Sequence, residues 1–203
     1  MEGQSAPSMN YMISLACKDD IPGMLEIYRP IVEGSHTSFE YAVPAEEVFS
    51  NRVLSVLEKF PWIVYREGDK VIGYAYAGQL RGRPAYSWSS ELSVYVHEAY
   101  QGMGLGRNLY KCLIDLLKWQ GVRNFYGVIA LPNDNSERFH LKLGFEKVSV
   151  MPAAGFKKRW VDLAWYLLRS DDDSEPAPLR SMEELRSSDE VARIFSTYNA
   201  EML

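Results

Sequence analysis

Seven consecutive residues, Gln101-Gly102-Met103-Gly104-Leu105-Gly106-Arg107, place three glycines directly before an amphipathic stretch, a combination suited to holding an anion. Glycine tolerates torsions that turn successive N–H groups inward and lets the backbone approach a ligand closely, and a helix starting there adds partial positive charge. The chemistry this suggests is a phosphate cradle. A P-loop would need Lys followed by Ser or Thr after the glycines, and Arg107-Asn108 stands there instead. The dinucleotide fingerprint G-x-G-x-x-G fails as well, because the spacing is G-x-G-x-G. A tight strand-to-helix turn without any ligand accounts for the same glycines. Cys17 and Cys112, 95 residues apart, form neither a disulfide framework nor a four-ligand zinc site, so no metal is required.

The elements that must position this loop follow from hydrophobic period. Asp19 and Asp20 can cap a helix from Ile21, with Pro22 in its first turn and Ile21, Met24, Ile27, Tyr28 and Ile31 on one face; Pro30 should kink or end it. A second helix is expected from Pro44 toward Lys59, with Glu46 and Glu47 in its first turn. Residues 61–66 and 71–79, rich in β-branched and aromatic side chains, read as a hairpin, and a third strand spans about 87–97. The glycine loop, a helix over about 106–120 and a strand over 124–131 then make a right-handed crossover unit. A short helix over 135–143, stopped by Gly144, and strands near 145–151 and 160–168 complete the pattern. The predicted class is mixed α/β (α+β), with a mainly antiparallel sheet flanked by helices.

With 203 residues, 47% hydrophobic and 24% charged, the chain is long enough for one domain with a substantial core plus a tail. Residues 1–11 read as a disordered terminus, 12–169 as the domain and 170–203 as an acidic linker with a C-terminal helix. That helix either docks on the domain or a partner, or remains a solvated tail. The tail carries nine acidic and three basic groups of a chain at -5, leaving the body near +1. A body this close to neutral has no electrostatic footprint for nucleic acid. Neither a spanning apolar run nor a signal-peptide pattern is present, so a soluble, cytoplasmic protein without membrane contact is expected.

The spacing Q-x-x-G-x-G at Gln101 to Gly106 resembles the acetyl-CoA pyrophosphate loop of the GNAT superfamily of N-acetyltransferases. Leu131-Pro132-Asn133, then Asn135-Ser136, then His140-Leu141-Lys142-Leu143-Gly144-Phe145, is similar to that superfamily's second cofactor segment. Five further segments resemble the phosphinothricin and methionine sulfoximine acetyltransferase branch: His36-Thr37-Ser38-Phe39-Glu40, Gly73-Tyr74-Ala75-Tyr76-Ala77, Arg81-Gly82-Arg83-Pro84-Ala85-Tyr86, Glu91-Leu92-Ser93-Val94-Tyr95-Val96, and Gly155-Phe156-Lys157 with Trp160-Val161-Asp162.

The resemblance implies direct attack of an amine on acetyl-CoA as cosubstrate. Glu91 would be the general base. Backbone groups of Val94, Tyr95 and Val96 would pair with the pantetheine arm, Gln101, Gly102, Met103, Gly104, Leu105, Gly106 and Arg107 would take the pyrophosphate, and Asn133 and Ser136 would hold the pantetheine or the thiol end. Asn133 can equally serve as a helix cap. His140 stands where many members carry the tyrosine that protonates the thiolate, and is either that acid or a buried structural histidine. Phe39, Glu40 and Tyr86 would wall the acceptor, and Arg81 and Arg83 would grip an anionic group on it or else remain solvated turn charges. The expected partner is a small-molecule amine, an amino acid analogue acetylated at its α-amino group, and a homodimer is typical of the family. An acceptor that is a protein N-terminus or a polyamine, or a non-catalytic acyl-CoA sensor, are the alternatives.

Overall fold

The computed structural model describes residues 11–170 and 172–200, so the expected disordered terminus lies outside the described residues except for Tyr11. Tyr11 instead opens a strand missing from the sequence reading, β1 (Tyr11–Leu15), followed by helices α1 (Ile21–Gly34) and α2 (Glu46–Leu57). Strands β2 (Trp62–Glu67), β3 (Lys70–Gln79) and β4 (Ser89–Val96) come next, then α3 (Leu105–Gln120), β5 (Asn124–Ala130) and α4 (Asp134–Lys142). Strands β6 (Glu146–Phe156) and β7 (Trp160–Arg169) and helices α5 (Met182–Ser187) and α6 (Asp189–Ala200) finish the chain.

The strands form one sheet in the order β1-β2-β3-β4-β5-β7-β6. Neighbours are antiparallel except β4 and β5, which are joined through α3 and run parallel. A bilayer of aromatic and aliphatic side chains from α1, α2, α3 and the central strands, including Trp62, Tyr74, Tyr110 and Phe125, makes the core. No helix among the described residues is long and apolar enough to cross a membrane.

Two local expectations need correction. Pro30 does not end α1, which continues to Gly34; the residue is on the exposed side, where water can satisfy the carbonyl that loses its helical N–H partner. Asp20 does not cap α1 with its side chain. Its carboxylate accepts from Cys17 N at 2.7 Å and from Arg66 at 2.8 and 2.6 Å, a stronger set of charge-assisted bonds than one cap would give.

The tail helices pack on the domain. Met182, Leu185, Val191 and Tyr198 are buried, Tyr198 donates to Asp115 on α3 at 2.6 Å, and Asn199 takes both polar groups of Ile13: Ile13 N donates to Oδ1 at 2.6 Å and Nδ2 donates to Ile13 O at 3.2 Å.

Candidate functional site

Strands β4 and β5 are paired through Ser89, Ser90 and Glu91 and then part. From Leu92 onward β4 bonds β3 on one side and faces open space on the other. That divergence opens a cleft of ≈ 1040 Å³, bounded by residues 92–96 of β4, 128–130 of β5, the loop before α3, and Asn133, Ser136, Phe139 and His140; Ile31 and Thr37 also line it. An extended ligand with amide groups can therefore add to the β4 edge as a strand would.

Gly102 and Gly104 have φ of 80° and 86°, and Gly104 sits at the N-terminal boundary of α3 in the left-handed conformation. A Cβ on either would meet no protein atom within 4 Å, so this surface of the loop is open. Gln101 Nε2 donates to Val96 O at 3.2 Å, tying the loop to the end of β4, and Leu105 anchors the helix start in the core at 1% exposure. Gly106 lies against Val96 and Phe139, Arg107 lines the cleft, and Met103 turns to solvent. An open loop of N–H groups at a helix N-terminus fits a phosphate-bearing group.

Side-chain alternation along β4 sorts the remaining residues by face. The Tyr95 ring meets Tyr28 of α1 with centroids 5.4 Å apart, whereas Val96 meets Gly106 of α3. Glu91 shares the Tyr95 face. It is half-buried at the point where β4 and β5 part, and burial pushes its carboxyl above the ordinary range while Arg81 opposes the shift. The Arg81 guanidinium sits 6.0 Å from the Trp165 ring centroid.

His140 lies on the other face, buried, with Nδ1 2.8 Å from Ser136 O and Nε2 3.0 Å from the Tyr110 hydroxyl. A carbonyl oxygen can only accept, so Nδ1 carries the hydrogen and Nε2 accepts from Tyr110. Burial lowers the proton affinity of His140 and, with Glu91 nearby, pushes the Tyr110 hydroxyl well up. The imidazole packs so closely on β5 that a Cβ on Gly127 would come within 2.3 Å of Nε2.

Asn133 Oδ1 accepts from Ser136 N at 3.1 Å, which caps α4 and leaves the Asn133 amide group to face the cleft. Glu40 is paired with Arg52 at 2.7 Å, and Phe39 packs against Gly155. Arg83 and Tyr86 sit at the exposed 3-10 turn Pro84–Tyr86 and, like Phe39, Glu40, Arg81 and Glu91, are not among the residues that line the cleft, whose β4 wall begins at Leu92. Tyr110 is not singled out by the sequence, since an aromatic on an apolar helix face reads as core, whereas Ile31 and Thr37, there an α1 face residue and part of a family segment, are brought to the cleft by the fold. Among the described residues no group of three or more His, Cys, Asp and Glu is placed to hold a metal ion.

The acetyltransferase (GNAT) domain profile matches residues 13–165. The chain is 30% identical over 167 residues to the phosphinothricin N-acetyltransferase of Streptomyces viridochromogenes, covering 82% of this chain and 91% of the relative. It is 34% identical to the L-methionine sulfoximine/L-methionine sulfone acetyltransferase of Salmonella typhimurium, covering 81% and 97%. The crystal structure of a GNAT superfamily phosphinothricin acetyltransferase from Sinorhizobium meliloti in complex with acetyl-CoA superposes with a TM-score of 0.78 at 31% identity, covering 83% of this chain and 94% of that one.

Proposed function

The chain belongs to the GNAT acetyltransferase family, and from that premise we propose that it acetylates the α-amino group of a small amino acid analogue of the phosphinothricin, methionine sulfoximine or methionine sulfone type. It is an acetyl-CoA-dependent transferase, in which acetyl-CoA supplies an acyl group activated as a thioester. Residues 101–107 would hold the pyrophosphate, the β4 backbone at Val94, Tyr95 and Val96 the pantetheine amides, and Asn133 and Ser136 the pantetheine or the thiol end. Glu91 removes a proton from the acceptor's ammonium, directly or through water; its raised proton affinity brings it closer to the working pH of a general base. Arg81, whose charge acts on Glu91, would meet an anionic group on an acceptor held there.

The observation that supports this reading is the parting of β4 from β5 directly after Glu91, beside a cleft lined by residues 92–96 of β4 and by the glycine loop. The Tyr110–His140 pair faces the opposite side, where the leaving sulfur would lie. Neutral His140 commits its one N–H to Ser136 O and turns the Nε2 lone pair to Tyr110, which weighs against it as sole acid.

Residues 12–169 form the catalytic unit in this reading, and the free thiols of Cys17 and Cys112 fit a reducing, cytoplasmic compartment. A second copy would pair along edge strand β6, where Val148, Val150, Met151, Phe156 and nearby Trp160 are 44–65% exposed; sedimentation of a single monomeric species would refute that. The function is tested by release of free CoA thiol from acetyl-CoA with phosphinothricin, methionine sulfoximine, methionine sulfone, common amino acids, spermidine and a short peptide. Turnover with the amino acid analogues is expected. Turnover with the peptide or spermidine alone transfers the assignment to those acceptors, and tight acetyl-CoA binding without turnover by any amine points to a sensor.

A further inference from the structure

Residues 35–45 join α1 to α2 without regular structure, yet this segment contributes Thr37 to the cleft, and the last turns of α1 contribute Ile31. Something outside the segment must fix it. Lys157, in the turn between β6 and β7, is 5% exposed, and its Nζ donates to Val32 O at 2.7 Å and to Ser38 O at 2.8 Å. Each gripped carbonyl belongs to the residue directly after a cleft-lining one. Val32 lies in the last turn of α1, where carbonyls lack helical N–H partners and the dipole favours a cation, so the ammonium is well accommodated there.

The neighbours of Lys157 act on the same segment. A Cβ on Gly155 would come within 2.4 Å of the Phe39 ring, and Phe156 O accepts from the Tyr41 hydroxyl at 2.6 Å. From the other side, the Tyr28 and Ser38 hydroxyls are 2.8 Å apart, and both groups are buried. Ser38, Phe39 and Tyr41 are thus held by residues 155–157, more than a hundred positions away.

We infer that Lys157 is a positioning residue for the amine acceptor: it clasps α1 to the following loop and so sets the acceptor end of the cleft, with Gly155 giving the Phe39 ring its seat. The inference rests on the reading that the acceptor enters between this loop and Glu91. Acceptors with larger side chains must displace a wall that Lys157 holds, so the clasp sets their size limit. The Lys157 ammonium bonds carbonyls of α1 and the following loop, not the glycine loop.

The test is steady-state kinetics with the acceptor and acetyl-CoA varied separately. Lys157→Met keeps the side-chain length and removes the donors; kcat/KM for the acceptor should fall about 10-fold or more, as expected when a reactant is misplaced by a fraction of an ångström, while KM for acetyl-CoA moves less than about 2-fold. Lys157→Arg, which can still donate to both carbonyls, should recover part of the loss. Gly155→Ala should lower the acceptor term in the same way, and Phe39→Ala in the same chain should relieve it, which keeps the test alive if Lys157→Met does not fold. Equal losses for both substrates, or an unchanged acceptor term, overturn the inference. If the wild-type protein acetylates no amine, the proposed function fails first. Amide exchange over residues 37–41 then decides the clasp: faster exchange in Lys157→Met supports it, and unchanged exchange refutes it.

Discussion

Gly127→Ala probes how closely the site is built. The new Cβ would sit 2.3 Å from His140 Nε2 and 2.5 Å from Cδ2, against about 3.5 Å for ordinary contact, so the imidazole must withdraw by about 1 Å. That ring is not free to yield. Its Nδ1 is bonded to Ser136 O at 2.8 Å, and Tyr110, Phe139, Phe145 and Tyr166 surround it with centroids 5.2 to 5.7 Å away. Withdrawal by that amount stretches the 3.0 Å bond to Tyr110 beyond hydrogen-bonding reach and leaves the buried hydroxyl only the longer 3.5 Å contact with Leu92 O. A lost buried partner costs about 1–3 kcal/mol and overpacking a similar amount, while the stiffer unfolded chain returns about 0.4–1 kcal/mol. The net destabilisation should be roughly 2–4 kcal/mol by urea unfolding, a fall in Tm of about 5–15 °C for a chain of this size. His140→Ala in the same chain should remove most of the Gly127→Ala increment. A cost below about 1 kcal/mol, or one that His140→Ala leaves unchanged, refutes the packing argument.

Glu91→Gln should cut kcat about 100-fold or more while leaving acetyl-CoA affinity intact in a direct binding measurement. Because the folded protein raises the proton affinity of Glu91, its ionised form is disfavoured by folding; the stability penalty is absent at acid pH and grows as pH rises through the folded pKa. Glu91→Gln should therefore have a higher Tm than wild type at neutral pH, with the difference closing toward acid pH. Arg81→Ala removes the charge that opposes this shift, so the acid limb of the kcat/KM profile should move to higher pH; a move to lower pH would separate Arg81 from Glu91. Gly104→Val combines a β-branched residue with φ of 86° and a side chain on the open surface of the loop, and should abolish acetyl-CoA binding by calorimetry.

What was legible in the sequence was local. The glycine loop, the Asn133 cap and the apolar positions of the tail helix each declare themselves within a few residues, and the strand and helix periods around them give the sheet its class. What escaped depends on partners far along the chain. Lys157 meets Val32 and Ser38 across 125 and 119 residues, and no period or spacing encodes that pairing. Tyr110 has the same apolar signature as its core neighbours, and only the fold brings it to His140. Strand β1 is five residues at a sheet edge, too short for alternation to separate it from the polar terminus before it.

The two borders of the sheet are not equivalent. On β1 the outward N–H and C=O of Ile13 are both taken by the amide of Asn199, as a neighbouring strand would take them, whereas β6 carries exposed aliphatic and aromatic side chains along its border. A sheet with two receptive borders can add copies at each end and grow into a fibre. With Ile13 in the middle of one border capped by the C-terminal helix, strand addition is hindered there and not at β6, so an association along β6 would favour two copies over a growing fibre.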